Sequence, residues 1–283
     1  MTGSDILDQR LARLDEDLRS RGSVMVAFSG GADSAFLLAA AVRALGPDRV
    51  AAATAYSDSL PEAERSPARE YAERLGVRLL TPRTHEMERE GYRANAGDRC
   101  YFCKAELLEV LGPLAREHGL AHVATGTNAD DAVAGFRPGI RAAAERGAIT
   151  PLLDACLTKQ QIRETSRAWG LPTWDKPAAA CLSSRVAYGV KVSSFRLARI
   201  ERAEVSVRSA LDRGGIRVGN LRVRDLGDVA SIEVDAKSVE AATALPEVVE
   251  AAVAAGFPSA RVDPKGFRSG AMNELLTEPE RYR

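Results

Sequence analysis

"SVMVAFSGGADSAFLLAAAVRALG", residues 23–46, decides the fold. Its opening, SVMVAF (23–28), is a short apolar run rich in β-branched residues, the composition of a buried parallel strand. Its end, SAFLLAAAVRALG (34–46), reads as a helix closed by Gly46. SGGADS (29–34) joins them. Two consecutive glycines let the backbone turn tightly and expose its N–H groups, and the helix N-terminus adds more N–H groups and a partial positive charge. Together they form an anion cradle in which Ser29, Gly30, Gly31 and Ser34 supply donors. Asp33 suits a Mg²⁺ ion bridging a bound phosphate better than it suits the phosphate itself.

Spacing argues against three commoner loops, the last a near miss that would make a serine hydrolase. A Walker A loop needs a GK[ST] ending and a dinucleotide fingerprint needs G-x-G-x-x-G; neither is present. A nucleophile elbow needs G-x-S-x-G, but Ala27 stands two before Ser29. Enzymes with that elbow also place the catalytic histidine late in the chain, whereas His85, His118 and His122 all fall in the first half.

Outward from this stretch the alternation continues. RVAAATAYS (49–57), VRLLTPR (77–83) and AHVATGT (121–127) read as strands; 61–76, 105–119 and 158–170 read as helices, and Ile6–Ser20 as a leading helix. Strand and helix alternate to about residue 170, so the fold class is α/β with a parallel sheet covered on both faces. After Arg185 the pattern changes. VKVS (190–193) reads as a strand, 194–215 as a long helix, 220–227 and 229–235 as a hairpin, 238–256 as a helix broken near Pro246, and 259–264 as a strand. That βαββαβ order predicts a split, ferredoxin-like module. The expected division is a nucleotide-binding domain at 1–188 and a smaller α+β substrate domain at 189–283.

At 283 residues, 45% hydrophobic and 28% charged, the chain excludes disorder. Zero net charge supplies no global field for nucleic acid. Residues 1–20 lack a signal-peptide core and no stretch of about 18 apolar residues exists, so the expected location is cytoplasmic. Four cysteines are too few for a disulfide scaffold; core, metal or catalytic roles remain.

Cys100 and Cys103 form a lone C-x-x-C, which can be half a zinc site, a redox pair or a plain thiol pair. Cys156, between Ala155 and Leu157, reads as core. Cys181 lies in DKPAAACLSSR (175–185), where Ala178 to Ala180 leave room for close approach, Lys176 and Arg185 offer positive charge, and Ser183 and Ser184 offer hydrogen bonds. Asn128, Asp130 and Asp131 follow the fourth strand at its carboxyl end, where open α/β sheets bind ligands, though TNADD is also a good helix start. Arg137 and Arg141 are candidates for substrate phosphate or carboxylate, or plain surface. Arg222 and Arg224 lie two apart, so on a strand they share a face and can clamp a phosphate. Glu201, Glu204 and Glu233 could hold a metal or orient those arginines, and Arg268 and Asn273 are further candidates.

SGGADS resembles the PP-loop, SGGxDS, of the ATP pyrophosphatases that cut ATP between its α and β phosphates. With it, DRCYFCK (98–104), GTNADD (126–131), FRPG (136–139), PLLDACLTKQQIR (151–163), LPTWDKPAAACLSSR (171–185) and GFRSGAMNE (266–274) together resemble the LarE family, in unbroken order over residues 20–275. These are ATP-dependent sulfur transferases of nickel-pincer nucleotide assembly. The resemblance implies ATP and Mg²⁺ as cofactors and adenylation of a carboxylate of pyridinium-3,5-biscarboxylic acid mononucleotide. Sulfur then replaces oxygen to give a thiocarboxylate. In the sacrificial version a cysteine at the place of Cys181 gives its own sulfur and ends as dehydroalanine. The alternative adds Cys181 to Cys100 and Cys103 as three ligands of a [4Fe–4S] cluster that carries an extra sulfide. The resemblance also implies a homo-oligomer working with other proteins of the same cofactor's assembly, and no membrane. A carboxylate is a poor electrophile; AMP makes it a leaving-group ester, and a thiolate is the competent nucleophile.

Rival readings share parts of this. A tRNA thiolase would share loop and cysteines but has no obvious RNA-binding module here. A PP-loop amide ligase would use ammonia and leave Cys181 idle. A non-catalytic nucleotide-binding or sulfur-carrier protein would not turn ATP into AMP and pyrophosphate.

Overall fold

The computed structural model describes residues 3–133, 137–177, 180–268 and 270–276. Strands β1 (Val24–Ala27), β2 (Val50–Ala53), β3 (Arg78–Leu80) and β4 (His122–Ala124) form one parallel sheet in the order β3-β2-β1-β4. Period-two alternation sorts their side chains into two cores. Val24, Val26, Phe28, Val50 and Ala52 pack on one face, with α1 (Gly3–Arg21), α2 (Ala32–Leu45), α3 (Arg65–Arg74) and the later residues Leu152, Leu157 and Ile162. Met25, Ala27, Ala51 and Ala53 pack on the other, against Leu108, Leu111 and Ala115. Burial on both faces is why β1 and β2 read as unbroken apolar runs. A bridge from Ala124 to Ile149 extends the sheet past β4, a pairing the sequence did not signal.

Short helix α4 (Glu90–Ala94) precedes α5 (Arg99–Glu117). The latter starts earlier than the expected residue 105, so Cys100 and Cys103 stand in its opening turns. After β4 come α6 (Ala129–Val133), α7 (Pro138–Glu145), α8 (Pro151–Asp154) and α9 (Lys159–Ala168). A capping box fixes the start of α9: Thr158 Oγ1 accepts from the Gln161 N–H and Gln161 Oε1 accepts from the Thr158 N–H. Phe136, Ala178, Ala179 and the side chain of Asn273 lie outside the described residues.

The second sheet is built from β5 (Leu221–Asp225), β6 (Val229–Val234) and β7 (Ser259–Val262), in that order. β5 and β6 are an antiparallel hairpin, as expected, and β6 and β7 are parallel. Helix α10 (Ser194–Arg213) precedes the hairpin, and α11 (Val239–Thr243) and α12 (Pro246–Ala254) connect β6 to β7, parted before Pro246 as its missing N–H requires. The ferredoxin-like expectation fails. Residues 190–193 form no strand; the Val192 N–H bonds to the Arg93 carbonyl instead. Val186 makes a parallel bridge to Asp225 on the outer edge of β5. Each parallel pairing is therefore direct, with no antiparallel strand set between its members. The core of this module also takes in Tyr92, Leu182 and Val186 from before residue 188. That packs the end of the cysteine loop into the core of the second sheet. Among the described residues no helix is long and apolar enough to cross a membrane.

Candidate active site

A cavity of about 420 Å³ opens at the carboxyl ends of the first sheet's strands. That is the size of a small-molecule site, at the edge where open α/β sheets bind ligands. Its lining joins Ser29, Gly31, Asp33 and Ser34 of the glycine loop to Asp131, Cys103, Lys104 and Cys181.

The glycine loop holds itself. Gly30 adopts φ 72°, a left-handed conformation that favours glycine. Ser34 Oγ donates to the Gly31 carbonyl at 3.1 Å and lies 3.1 Å from Ser29 Oγ, and Ser29 Oγ accepts from the Gly31 N–H at 3.4 Å. A second strand end presses on it: a Cβ on Gly126 would lie 2.9 Å from the Ser34 nitrogen. Burial pushes the Asp33 carboxyl above the ordinary carboxylate range; the Lys159 charge opposes this and Asp131 adds to it. Asn128 is fully buried; its Oδ1 accepts from the Asp131 N–H at 3.1 Å, while its Nδ2 finds no partner of ordinary geometry. The turn caps α6, as the TNADD pattern suggested, and Asn128 also faces Asp33. Asp130 does neither for the cavity; it accepts from the Lys159 N–H at 2.7 Å. Asp131 ion-pairs with Lys159 at 3.0 Å and with Arg137 at 3.3 Å, which engages Arg137 outside the cavity wall. Arg141 stacks on Tyr101, away from the cavity.

The cysteine loop is held from elsewhere. The Leu182 N–H donates to the Ser59 carbonyl at 2.8 Å. Ser184 Oγ and Arg185 Nη1 donate to the Cys181 carbonyl at 2.7 and 2.9 Å, and Arg185 Nη1 also reaches the Ala180 carbonyl. Arg185 is buried and pairs with Glu204 of α10 at 3.0 Å, so its guanidinium fixes the loop's shape. Ser183 meets the Tyr92 hydroxyl. Lys176 does not supply charge beside the sulfur, as its place in sequence suggested: its Nζ lies 3.0 Å from the Gly30 carbonyl and 2.6 Å from Glu64. Arg99 fills that role and was not singled out from sequence, although it directly precedes Cys100. It is buried, donates to the Ser183 carbonyl at 2.7 Å and to Asn95 at 2.5 Å, and though burial opposes its charge, Cys100 and Cys181 hold its pKa above the usual range.

Burial, then the Cys181 charge, pushes the Cys103 thiol far above the thiol range. Burial pulls Lys104 down, against the opposing pull of Cys103 and Cys100. Cys103 thus senses both of the other two thiols. Yet among the described residues no three Cys, His, Asp or Glu side chains are gathered to hold a metal ion, and Cys100 is exposed. The residues as arranged do not fit a [4Fe–4S] cluster, and no step below passes through one. Cys156 is a correction: it is exposed, not core. It sits at the C′ position of α8 with φ 58°, its N–H on the Leu153 carbonyl and the Leu157 N–H on that of Leu152. Leu157, not Cys156, goes into the core.

A second, smaller cavity of about 140 Å³ lies across the cysteine loop. Ala180 and Ser184 line it with Arg99, Arg222, Arg224, Tyr188 and Phe267. Arg224 is tied to Glu233 at 2.8 Å and to the Ser184 carbonyl at 3.1 Å. Desolvation, then the neighbouring Arg185 and Arg224 charges, lowers the Arg222 pKa, the mark of a place that an anion would relieve. Glu201 takes no part; it caps residues 62–64 by accepting from the Glu62 N–H at 2.6 Å. Arg268 pairs with Glu274 at the surface.

No family model matches the chain. It is 36% identical over 276 residues to an uncharacterized protein of Synechocystis sp., covering 96% of this chain and 100% of that protein. It is 31% identical over 275 residues to the pyridinium-3,5-bisthiocarboxylic acid mononucleotide synthase of Lactiplantibacillus plantarum, covering 97% of each. An uncharacterized protein of Methanocaldococcus jannaschii matches 50% of the chain at 30% identity.

Proposed function

The chain belongs to the family of the pyridinium-3,5-bisthiocarboxylic acid mononucleotide synthases, the LarE family, and on that premise we propose that it is an ATP-dependent sulfur transferase. It adenylates a carboxylate of pyridinium-3,5-biscarboxylic acid mononucleotide and replaces oxygen by the sulfur of Cys181. The observation that carries this reading is that Cys181 and the glycine loop line one cavity. A nucleophile is useful there only if something activated in the loop comes within its reach.

The glycine loop donates N–H and hydroxyl groups to the leaving pyrophosphate. Asp33, whose ionisation burial and the Asp131 charge oppose, and Asp131 would hold Mg²⁺, which would neutralise phosphate charge. Residues 1–188 carry this activation. The arginine cavity, lined from both sides of residue 188, takes the nucleotide's own phosphate on Arg222 and Arg224. The loop 180–184 is the wall between the two cavities. A substrate anchored on the arginine side then presents its ring carboxylate past the sulfur to the ATP side. Cys181 attacks the acyl carbon and AMP leaves, giving a thioester. Loss of the Cα proton with cleavage of the Cβ–S bond releases the thiocarboxylate and leaves dehydroalanine.

Intact mass after incubation with ATP, Mg²⁺ and the biscarboxylate nucleotide tests this. Loss of about 34 Da, one H₂S, mapped to Cys181 is the expected result. Many turnovers of sulfur transfer with no change in mass would overturn the sacrificial route. Cys181→Ala is expected to release pyrophosphate and transfer no sulfur.

A further inference from the structure

One acid in the main cavity has no part in the chemistry so far. Glu86 opens a 3-10 turn, Glu86–Glu88, after β3. It is 3% exposed, yet it lines the same cavity as Cys181. Its Oε1 accepts from Ser59 Oγ at 3.0 Å, and among the described residues no lysine or arginine ion-pairs with it. Burying a carboxylate without a cation is costly unless hydrogen bonds compensate it, and an acid so held beside a reacting group is a candidate for proton transfer.

Ser59 ties this acid to the reacting residue. The same serine whose hydroxyl donates to Glu86 accepts the Leu182 N–H on its carbonyl at 2.8 Å. Glu86 is therefore oriented by a residue that lies directly along the Cys181–Leu182 peptide. Of the other acid–base groups around Cys181, Cys103 and Tyr92 are held protonated, and Lys104, which lines the same cavity and whose pKa burial lowers, is the rival base. Burial, then the Cys181 charge, raises Cys103 and Tyr92, and the Glu86 charge contributes to both shifts, so each keeps its proton.

We infer that Glu86 is the base that removes the Cα proton of Cys181 when the sulfur departs. The step rests on the sacrificial reading above. The Cα–H bond breaks and its proton goes to the Glu86 carboxylate. The electron pair forms the Cα=Cβ double bond of dehydroalanine. The Cβ–S bond breaks with its pair on sulfur, which leaves as the thiocarboxylate. Glu86 then returns its proton to water. No oxidant or reductant enters. Positioned carboxylates contribute on the order of 100-fold or more to such transfers.

The test is single-turnover intact mass and pyrophosphate release for the full chain with ATP, Mg²⁺ and the biscarboxylate nucleotide. Glu86→Gln keeps the size and loses the basicity. It is expected to release pyrophosphate and to accumulate the substrate–enzyme thioester on Cys181, with loss of H₂S slowed by about 100-fold or more. Glu86→Asp, which keeps the carboxylate, is expected to recover part of that rate, and His85→Gln next door is expected to match the wild type. Elimination by Glu86→Gln at the wild-type rate overturns the assignment. So does failure of that variant to form thioester at all, or thioester accumulating in Lys104→Met instead. Should Glu86→Gln not fold, Glu86→Asp eliminating at the full wild-type rate overturns it. A wild-type chain that transfers sulfur and never loses H₂S defeats the sacrificial reading itself, which is a separate result.

Discussion

Two loops meet in the main cavity, and they are held in opposite ways. The glycine loop is closed chiefly by bonds among its own residues, Ser29, Gly31 and Ser34, with Lys176 reaching the Gly30 carbonyl from far along the chain. The cysteine loop is held by residues far along the chain: Ser59 on Leu182, Tyr92 on Ser183 and Glu204 on Arg185. The shape of the glycine loop is thus encoded mostly locally, while the position of Cys181 is a tertiary construction. Activation and sulfur transfer should therefore be separable by mutation, and only the second should depend on the C-terminal module.

The largest effect on stability is expected from Glu204→Gln. Glu204 accepts from Arg185 at 3.0 Å and from the Val223 N–H at 3.1 Å. Removing one partner of a mostly buried pair leaves the other charge uncompensated and costs about 3 kcal/mol. Urea unfolding reads that loss. Pyrophosphate release is expected to survive while sulfur transfer falls by about 10-fold, because Arg185 no longer fixes the Cys181 carbonyl. If both steps fell equally, the two loops would not be independent.

Gly126→Ala attacks the glycine loop from outside. The added Cβ would meet the Ser34 nitrogen at 2.9 Å and its Cα at 3.1 Å, and backbone cannot swing away as a side-chain tip can. Overpacking of this kind costs about 2 kcal/mol. Pyrophosphate release is expected to drop by about 100-fold, the scale of losing one well-placed oxyanion donor. Preserved release would mean that the loop tolerates displacement, and the local half of the contrast would fail.

Asp33 sharpens the comparison through pH. Burial holds its folded-state pKa above the unfolded one, so the folded state binds more protons in the window between the two. Stability then falls as pH rises through that window, and the full cost stands above the folded pKa. Asp33→Asn is expected to raise Tm at neutral pH, with the gain shrinking toward zero as pH falls below the ordinary aspartate range, even as nucleotide turnover is lost. Thermal melts across that range check the sign. A Tm lowered at neutral pH would show that Lys159 outweighs the burial.

What the sequence disclosed follows the same divide. β1 and β2 were legible because both faces are buried, the break before Pro246 because proline lacks an N–H, and the glycine loop because its spacing is its geometry. Lys176 on Gly30, Arg185 on Glu204 and Glu86 on Ser59 were not legible, since each joins residues from 19 to 146 positions apart. The strand expected at 190–193 failed for the same reason: its alternation is real and Val192 is buried, but a distant carbonyl, that of Arg93, takes its N–H.

Cys156 gives the smallest effect and the cleanest check on local encoding. Apolar neighbours disguised it as core, but it is the left-handed residue that ends α8, with φ 58°. A side chain pays a steric penalty there that glycine does not, partly offset by the extra freedom glycine has in the unfolded chain. Cys156→Gly is expected to stabilise by about 0.5 kcal/mol and to leave pyrophosphate release and sulfur transfer unchanged. Because its bonds run only to Leu152 and Leu153 through neighbouring N–H groups, the gain should add to the loss in Glu204→Gln without coupling. A double variant whose unfolding free energy departed from that sum would tie this cap to the cysteine loop, a connection that the hydrogen bonds of neither region carry.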